Sequence, residues 1–129
     1  MQLKRTTDYA IRVLLVLTKH PGYMTMPELS KAVCANPAYL VKVVRMLRDF
    51  GWIRSQRSDS GGYEFVRTSA SITLLDVMKV MGDSVKLGSI LEDDFHPNRD
   101  IYETFKDYKK QTEEHFNNYL IWNRKAKGE

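Results

Sequence analysis

Residues 25–67 read TMPELSKAVCANPAYLVKVVRMLRDFGWIRSQRSDSGGYEFVR, and few folds accommodate that order of signals. Two short amphipathic helical patterns are joined by a turn. A basic strand, a polar tip containing Gly-Gly and a second strand follow. The order describes a helix-turn-helix with a hairpin wing, a geometry that can set one helix in a major groove and a loop beside it.

Local chemistry supports each part. Thr25 stands three residues before Glu28, with Pro27 between them, which is a capping-box start for a helix running to about Val33. Leu29, Ala32 and Val33 are its apolar residues. Cys34-Ala35-Asn36-Pro37 forms the turn, and Asn36 with Pro37 supplies cap and first-turn chemistry for the next helix. At about 100° per residue, Leu40, Val43, Val44 and Leu47 share one face of that helix. Ala38, Lys42, Arg45 and Asp49 fall opposite, with Val41 and Arg48 on a flank. Gly51 stops the helix. Residues 52–55 and 63–66 alternate as strands, and residues 56–62 form the tip.

The flanks organise around this head. Residues 3–19 lack Gly and Pro and are apolar round much of the circumference, which predicts a central helix. After the wing, Ile72, Leu75, Val77 or Met78, and Val80 predict a short helix with Asp76 near its start. Residues 82–97 form a connector, with a turn of helix near residues 89–91. From residue 99 to about 124, Ile101, Phe105, Tyr108, Thr112, His115, Tyr119 and Trp122 recur at spacings of four and three, with Tyr102, Phe116 and Leu120 widening the stripe. A helix of roughly 25 residues would span nearly 40 Å, more than a small head covers. A homodimer seam is the favoured expectation, with packing on the chain's own core as the alternative. The expected division is a DNA-binding head over residues 1–81 and a connector with dimerisation helix over residues 82–129. The expected fold class is mainly α, with a small β-hairpin wing and a long C-terminal dimerisation helix.

Charge separates along the same division. The chain carries a net charge of +4, but residues 1–68 hold 11 Lys/Arg against 5 Asp/Glu and residues 69–129 hold 9 against 11. A basic head on a slightly acidic body suits a polyanion partner, although chance clustering on a solvated face gives the same count. The single cysteine, Cys34, excludes an intrachain disulfide and a multi-thiolate metal site. His20, His96 and His115 lack ligand spacing, and Glu92, Asp93, Asp94 with His96 read as an acidic surface loop. No cofactor is expected. No apolar run approaches the roughly 18–20 residues that cross a bilayer. No secretory signal is evident, so a cytoplasmic location without a membrane partner is the expectation.

The basic residues of the head fit nucleic-acid chemistry. Lys42 and Arg45 can donate to guanine edges or phosphates, while Ala38 and Val41 can pack on thymine methyl groups. Tyr39 can reach a phosphate or pack on the first helix, and Asn36 borders the same edge. On the wing, Arg54 and Arg57 supply charge, and Ser58, Ser60, Gly61 and Gly62 permit close backbone approach to a groove. Lys4, Arg5 and Thr6, with Thr7, offer phosphate contacts at a helix start.

The segments MQLKRTTDYAIRVLLVL, PELSKAVCANPAYLVKVVRMLRDFGWI and RSDSGGYEFVR resemble the IscR/NsrR/CymR family of bacterial winged-helix regulators, the Rrf-two type, over roughly residues 1–82. The resemblance implies a homodimer whose long C-terminal helices cross, bound to a pseudo-palindromic operator in double-stranded DNA, with repression the usual outcome. Cluster-binding members carry three cysteines in the connector, whereas residues 82–100 here contain none. Asp8 occupies a position resembling a non-cysteine ligand of nitric-oxide-sensing members; a first-turn residue favoured by the helix dipole is the other reading. The chain thus resembles the cluster-free branch, which answers to thiol oxidation, a small molecule or a protein effector. Cys34 is the redox candidate, set against a small buried hydrophobe. A protein-interaction module built on the same scaffold is the alternative function. The sequence contains no nucleophile–base pattern, phosphate loop or metal cluster that would support an enzyme.

Overall fold

Capping chemistry sets where the helices begin and end. The computed structural model of the chain describes residues 2–56, 61–86, 91 and 98–124. Along it run α1 (Arg5–Leu17), α2 (Met26–Val33), α3 (Pro37–Phe50), β1 (Ile53–Ser55), β2 (Tyr63–Phe65), β3 (Ile72–Thr73), α4 (Leu74–Val80), α5 (Arg99–Asn117) and β4 (Leu120–Trp122). The capping box at α2 is closed in both directions. Glu28 N donates to Thr25 Oγ1 at 3.3 Å, and Thr25 N donates to Glu28 Oε1 at 3.1 Å. The Thr25 hydroxyl and then its backbone N–H hold the Glu28 carboxyl below its ordinary value. Asn36 Oδ1 accepts from Ala38 N at 2.8 Å to start α3, and Gly51 at φ 104° ends it.

α1 is the central element, touching α2, α3, α4, β2 and β4. Its Ala10, Val13, Leu14 and Leu17 are buried against Leu29, Leu40, Val43, Val44 and Leu47, the inward residues of α2 and α3. The guanidinium of Arg67 closes the end of α1, donating to Thr18 O at 3.0 Å and His20 O at 2.9 Å. β1 and β2 pair antiparallel with Ile53 opposite Phe65 and Arg54 opposite Glu64. Ile53 and Phe65 turn inward, so the base of the wing is part of the core.

Two expectations change in the C-terminal half. Ile72 belongs to β3, not to the short helix, which starts at Leu74 behind a second capping box formed by Thr73 and Asp76. The long helix ends at Asn117, not near Arg124, and the chain returns as β4. β4 pairs antiparallel with β3, setting Ile72 opposite Trp122 and Thr73 opposite Leu120. The Thr73 hydroxyl also donates to Asn117 Oδ1 at 3.0 Å. Ladder bonds and apolar burial outweigh helix continuation here, because Leu120-Ile121-Trp122 fits a half-buried strand and two asparagines precede it. The pairing crosses the expected division after residue 81. A smaller cluster of Leu75, Met78 and Val85, with Leu3 and Phe116 packed on it, crosses it again. The expected turn near residues 89–91 falls mostly outside the described residues.

Candidate nucleic-acid interface

α3 presents an outer face free of core contacts. Ala38, Lys42 and Arg45 are exposed, as is Val41 at 41%, while Leu40, Val43, Val44 and Leu47 on the opposite side are sealed in the core. Two cations beside small or apolar groups form a surface that can enter a groove and meet both base edges and thymine methyl groups. Arg48 and Asp49 at the last turn are also exposed, with 3.6 Å between Arg48 Nη2 and Asp49 Oδ1.

The start of α1 is more committed than its sequence implies. Lys4 N donates to Asp83 Oδ2 at 2.9 Å, and Lys4 Nζ donates to Gly82 O at 2.7 Å, so this lysine ties α1 to the end of α4. Burial raises the Asp83 carboxyl, but the N–H of Lys4, the Thr7 hydroxyl, the Ser84 N–H and the Lys4 charge together bring it below its ordinary value. Arg5 remains exposed, its guanidinium 5.6 Å above the Tyr39 ring. Tyr39 meets Tyr9 edge-on at 5.1 Å and 84°. Of its two expected roles, the packing one is occupied. Thr6 is half-buried, and the Asn36 side chain is engaged as the cap of α3. Asp8 pairs with Arg12 at 2.8 Å, and Arg12 also donates to Val33 O at 3.1 Å, closing the end of α2.

On the wing, Arg54 Nε donates to Glu64 Oε1 at 2.7 Å, a cross-strand ion pair that offsets its charge. Arg57, Ser58 and Ser60 lie outside the described residues. Gly61 is half-exposed and Gly62 is buried. A Cβ on Gly62 would stand 2.1 Å from Met24 O, so the glycine serves an intramolecular approach rather than one toward a groove. Met24 N donates to Tyr63 O at 2.8 Å and Tyr63 N returns the bond to Met24 O at 2.8 Å, adding a third short segment to the wing.

Tertiary packing gathers, around the expected Gly61, residues absent from the expected set. Thr25, Arg48, Ser55, Gln56 and Gly61 border a cleft of about 340 Å³ between the start of α2, the end of α3 and the wing. A cation and polar side chains converging there suit a backbone phosphate. The sequence placed Arg48 on the flank of its helix. Only the fold puts that flank opposite the wing.

Cys34 caps α2 at φ 58°, and among the described residues it is the only non-glycine with positive φ. It is exposed, not a buried hydrophobe, and its Sγ lies 3.9 Å from Lys31 O. The left-handed conformation costs a Cβ-bearing residue on the order of 1 kcal/mol and favours glycine at this place in a helix end. Cys34→Gly is therefore expected to raise unfolding free energy by about 0.5–1 kcal/mol in urea titrations. Cys34→Ser, which retains the Cβ, is expected to give no gain. An equal gain in both variants would remove the strain account.

The aromatic row divides once α5 is folded. Ile101 (51% exposed), Tyr108 (52%) and, beyond the helix end, Tyr119 (57%) stand open, as does His115. Phe105 and Thr112 are half-buried, and Phe116 sits on the Leu75–Met78–Val85 cluster. Trp122 is not on the helix and packs against the chain's own core. Its ring lies 4.8 Å from Phe65, its Nε1 donates to Ser69 O at 3.1 Å, and Arg67 covers it at 5.9 Å.

The Rrf2 family model, described as iron-dependent transcriptional regulator, matches residues 3–121. Protein aau3 of Rhizobium meliloti is 30% identical over 93 residues, covering 71% of this chain and 60% of that protein. YwgB of Bacillus subtilis, named among HTH-type transcriptional regulators, is 31% identical over 83 residues, covering 63% of this chain and 53% of its own length. The chain thus spans less than two thirds of these relatives. Among solved structures, IscR of T. potens aligns over 100% of this chain and 89% of its own, with a TM-score of 0.69 at 21% identity. CymR, the global cysteine regulator of B. subtilis, aligns over 94% and 93%, with a TM-score of 0.75 at 19% identity. At these identities the likeness establishes the winged-helix fold. The donor set does not fit a thiolate-held iron cluster: the one cysteine caps the end of α2, and Asp8 is held by Arg12. Among the described residues, no group of three or more His, Cys, Asp or Glu could hold a metal. The acidic group of Glu92, Asp93, Asp94 and His96 lies outside them. Among the described residues, no helix is long and apolar enough to cross a membrane.

Proposed function

Because the chain belongs to the Rrf2 family of transcriptional regulators, we propose that it is a dimeric, sequence-specific DNA-binding repressor that works without an iron–sulfur cluster. The observation that carries this reading is the outer face of α3, where Ala38, Val41, Lys42 and Arg45 stand exposed together while the inner face is sealed. In this reading α3 lies in the major groove. Arg5, Arg48 and the wing take the flanking phosphates, with Lys4, Arg54 and Asn36 acting mainly to hold those elements in place. Homodimerisation is supported by α5, a helix of 19 residues without a buried side chain. The exposed row of Ile101, Tyr108, His115 and Tyr119 is its proposed seam, leaving Phe116 and Trp122 to the chain's own packing. Control by an effector, through Cys34 oxidation, a small molecule or a protein, belongs to the same proposal.

An operator selected from random duplex tests this directly. Affinity for it should exceed that for random duplex by orders of magnitude and fall steeply with salt through counterion release. Arg45→Ala and Lys42→Ala should each lose about 1–3 kcal/mol of specific affinity and relax preference at one base position. A uniform loss across sequences would assign the side chain to phosphate. Affinity no better than for random duplex would instead favour a protein-interaction module.

A further inference from the structure

Away from the head, α5 carries a second basic surface. Tyr102, Lys106, Lys109, Lys110 and Glu113, with Leu91 of the connector, line an open cleft of about 330 Å³. That size lies within the range of small-molecule sites. Lys109 is half-buried, and Lys106 and Lys110 are exposed. None of the three lysines has an ion-pair partner among the described residues. The neighbouring carboxylate of Asp107 instead accepts from Gln111 Nε2 at 2.7 Å. Like charges four residues apart, as in Lys106 and Lys110, destabilise a helix. The grouping is also against the local trend, since residues 69–129 carry 9 basic side chains against 11 acidic ones. Three lysines against the single Glu113 leave an excess of positive charge around an aromatic and an aliphatic wall. The lysine face lies roughly a third of a turn from Ile101 and Tyr108, so covering the seam leaves the cleft accessible.

We propose that this cleft binds a small organic anion carrying two or more phosphate or carboxylate groups, and that this anion is the regulator's effector. The effector half rests on the DNA-binding reading above; the binding half does not. Transmission follows from packing. α5 seats Phe116 on Leu75, Met78 and Val85 beside Leu3, and the next residue, Lys4, is held by Asp83. An anion that shifts α5 therefore acts on the first turn of α1, which meets α3 through Arg5 and Tyr39.

Pyrophosphate is a suitable probe, titrated calorimetrically into the purified full chain at low salt without DNA. The expected result is saturable binding at one site per chain, weakened at least roughly tenfold in the triple variant Lys106→Gln, Lys109→Gln, Lys110→Gln. Lys79→Gln, on exposed α4 surface, should leave it unchanged. Equal affinity in the triple variant, or equal loss in Lys79→Gln, overturns the site. So does dissociation of the triple variant's dimer, which assigns the lysines to a second copy. A uniform loss of its DNA affinity with a shallower salt slope assigns them to DNA phosphates and also overturns it. Pyrophosphate should change operator affinity of the unmodified chain and not of the triple variant; no change in either overturns the effector role. Saturable binding in a chain that recognises no operator would leave the site standing and remove the repressor reading instead.

Discussion

Gly62→Ala is expected to cost about 3 kcal/mol of folding free energy, at the upper end for overpacking, and to abolish operator binding at ordinary temperature. The added Cβ would meet Met24 O at 2.1 Å, Met24 C at 2.5 Å and Thr25 N at 2.8 Å. All three are backbone atoms, so no rotamer change relieves the contact. Separating the segments would break the paired bonds between Met24 and Tyr63 and disturb the bond from Gln56 N to Gly62 O at 3.0 Å. These bonds set the base of the wing against the start of α2. Thermal unfolding should therefore drop by roughly 10 °C for a domain of this size. A melting temperature within about 2 °C of the unmodified chain would show that the wing absorbs the methyl group and that Gly62 has no structural requirement.

Trp122→Ala is expected to destabilise the head by about 2–3 kcal/mol, below the usual cost of removing a fully buried tryptophan because the ring is only half-buried. Three contacts disappear together: the ring on Phe65, the bond to Ser69 O and the surface under Arg67. Arg67 also closes α1 through Thr18 O and His20 O, so the end of that helix loosens as well. The same substitution separates two roles for this residue. A core role predicts lower stability in denaturant with the dimer dissociation constant little changed. A seam role predicts weakened dimerisation, read by sedimentation, with the stability of the head preserved.

Most of the head was legible in the residues because its signals act over a few positions. The Thr25–Glu28 capping box, the Asn36 cap, the Gly51 stop and the division of α3 into inner and outer faces all appear where periodicity and cap chemistry put them. Such interactions span three or four residues and scarcely depend on what packs around them. The end of α5 was not legible in this way. Spacings of four and three continue through Tyr119 and Trp122, but helical period cannot register that Ile72 and Thr73 offer Trp122 and Leu120 a strand partner.

The candidate interface divides along the same line. Exposure of Lys42 and Arg45 follows from their angular position on an amphipathic helix, which the sequence contains. What becomes of Lys4, Arg48, Arg54 and Gly62 depends on neighbours far away in the chain or across a strand pair: Asp83, the start of α2, Glu64 and Met24. By itself, then, the sequence determined the helix-turn-helix, the wing strands and the outward face of α3, since these are written in local caps and periodic burial. Only the tertiary structure decided which cations remain open to a polyanion, which glycine is obligatory, and that the chain returns after α5 to seal the core, since hydrogen bonds and contacts between distant segments have no local signature.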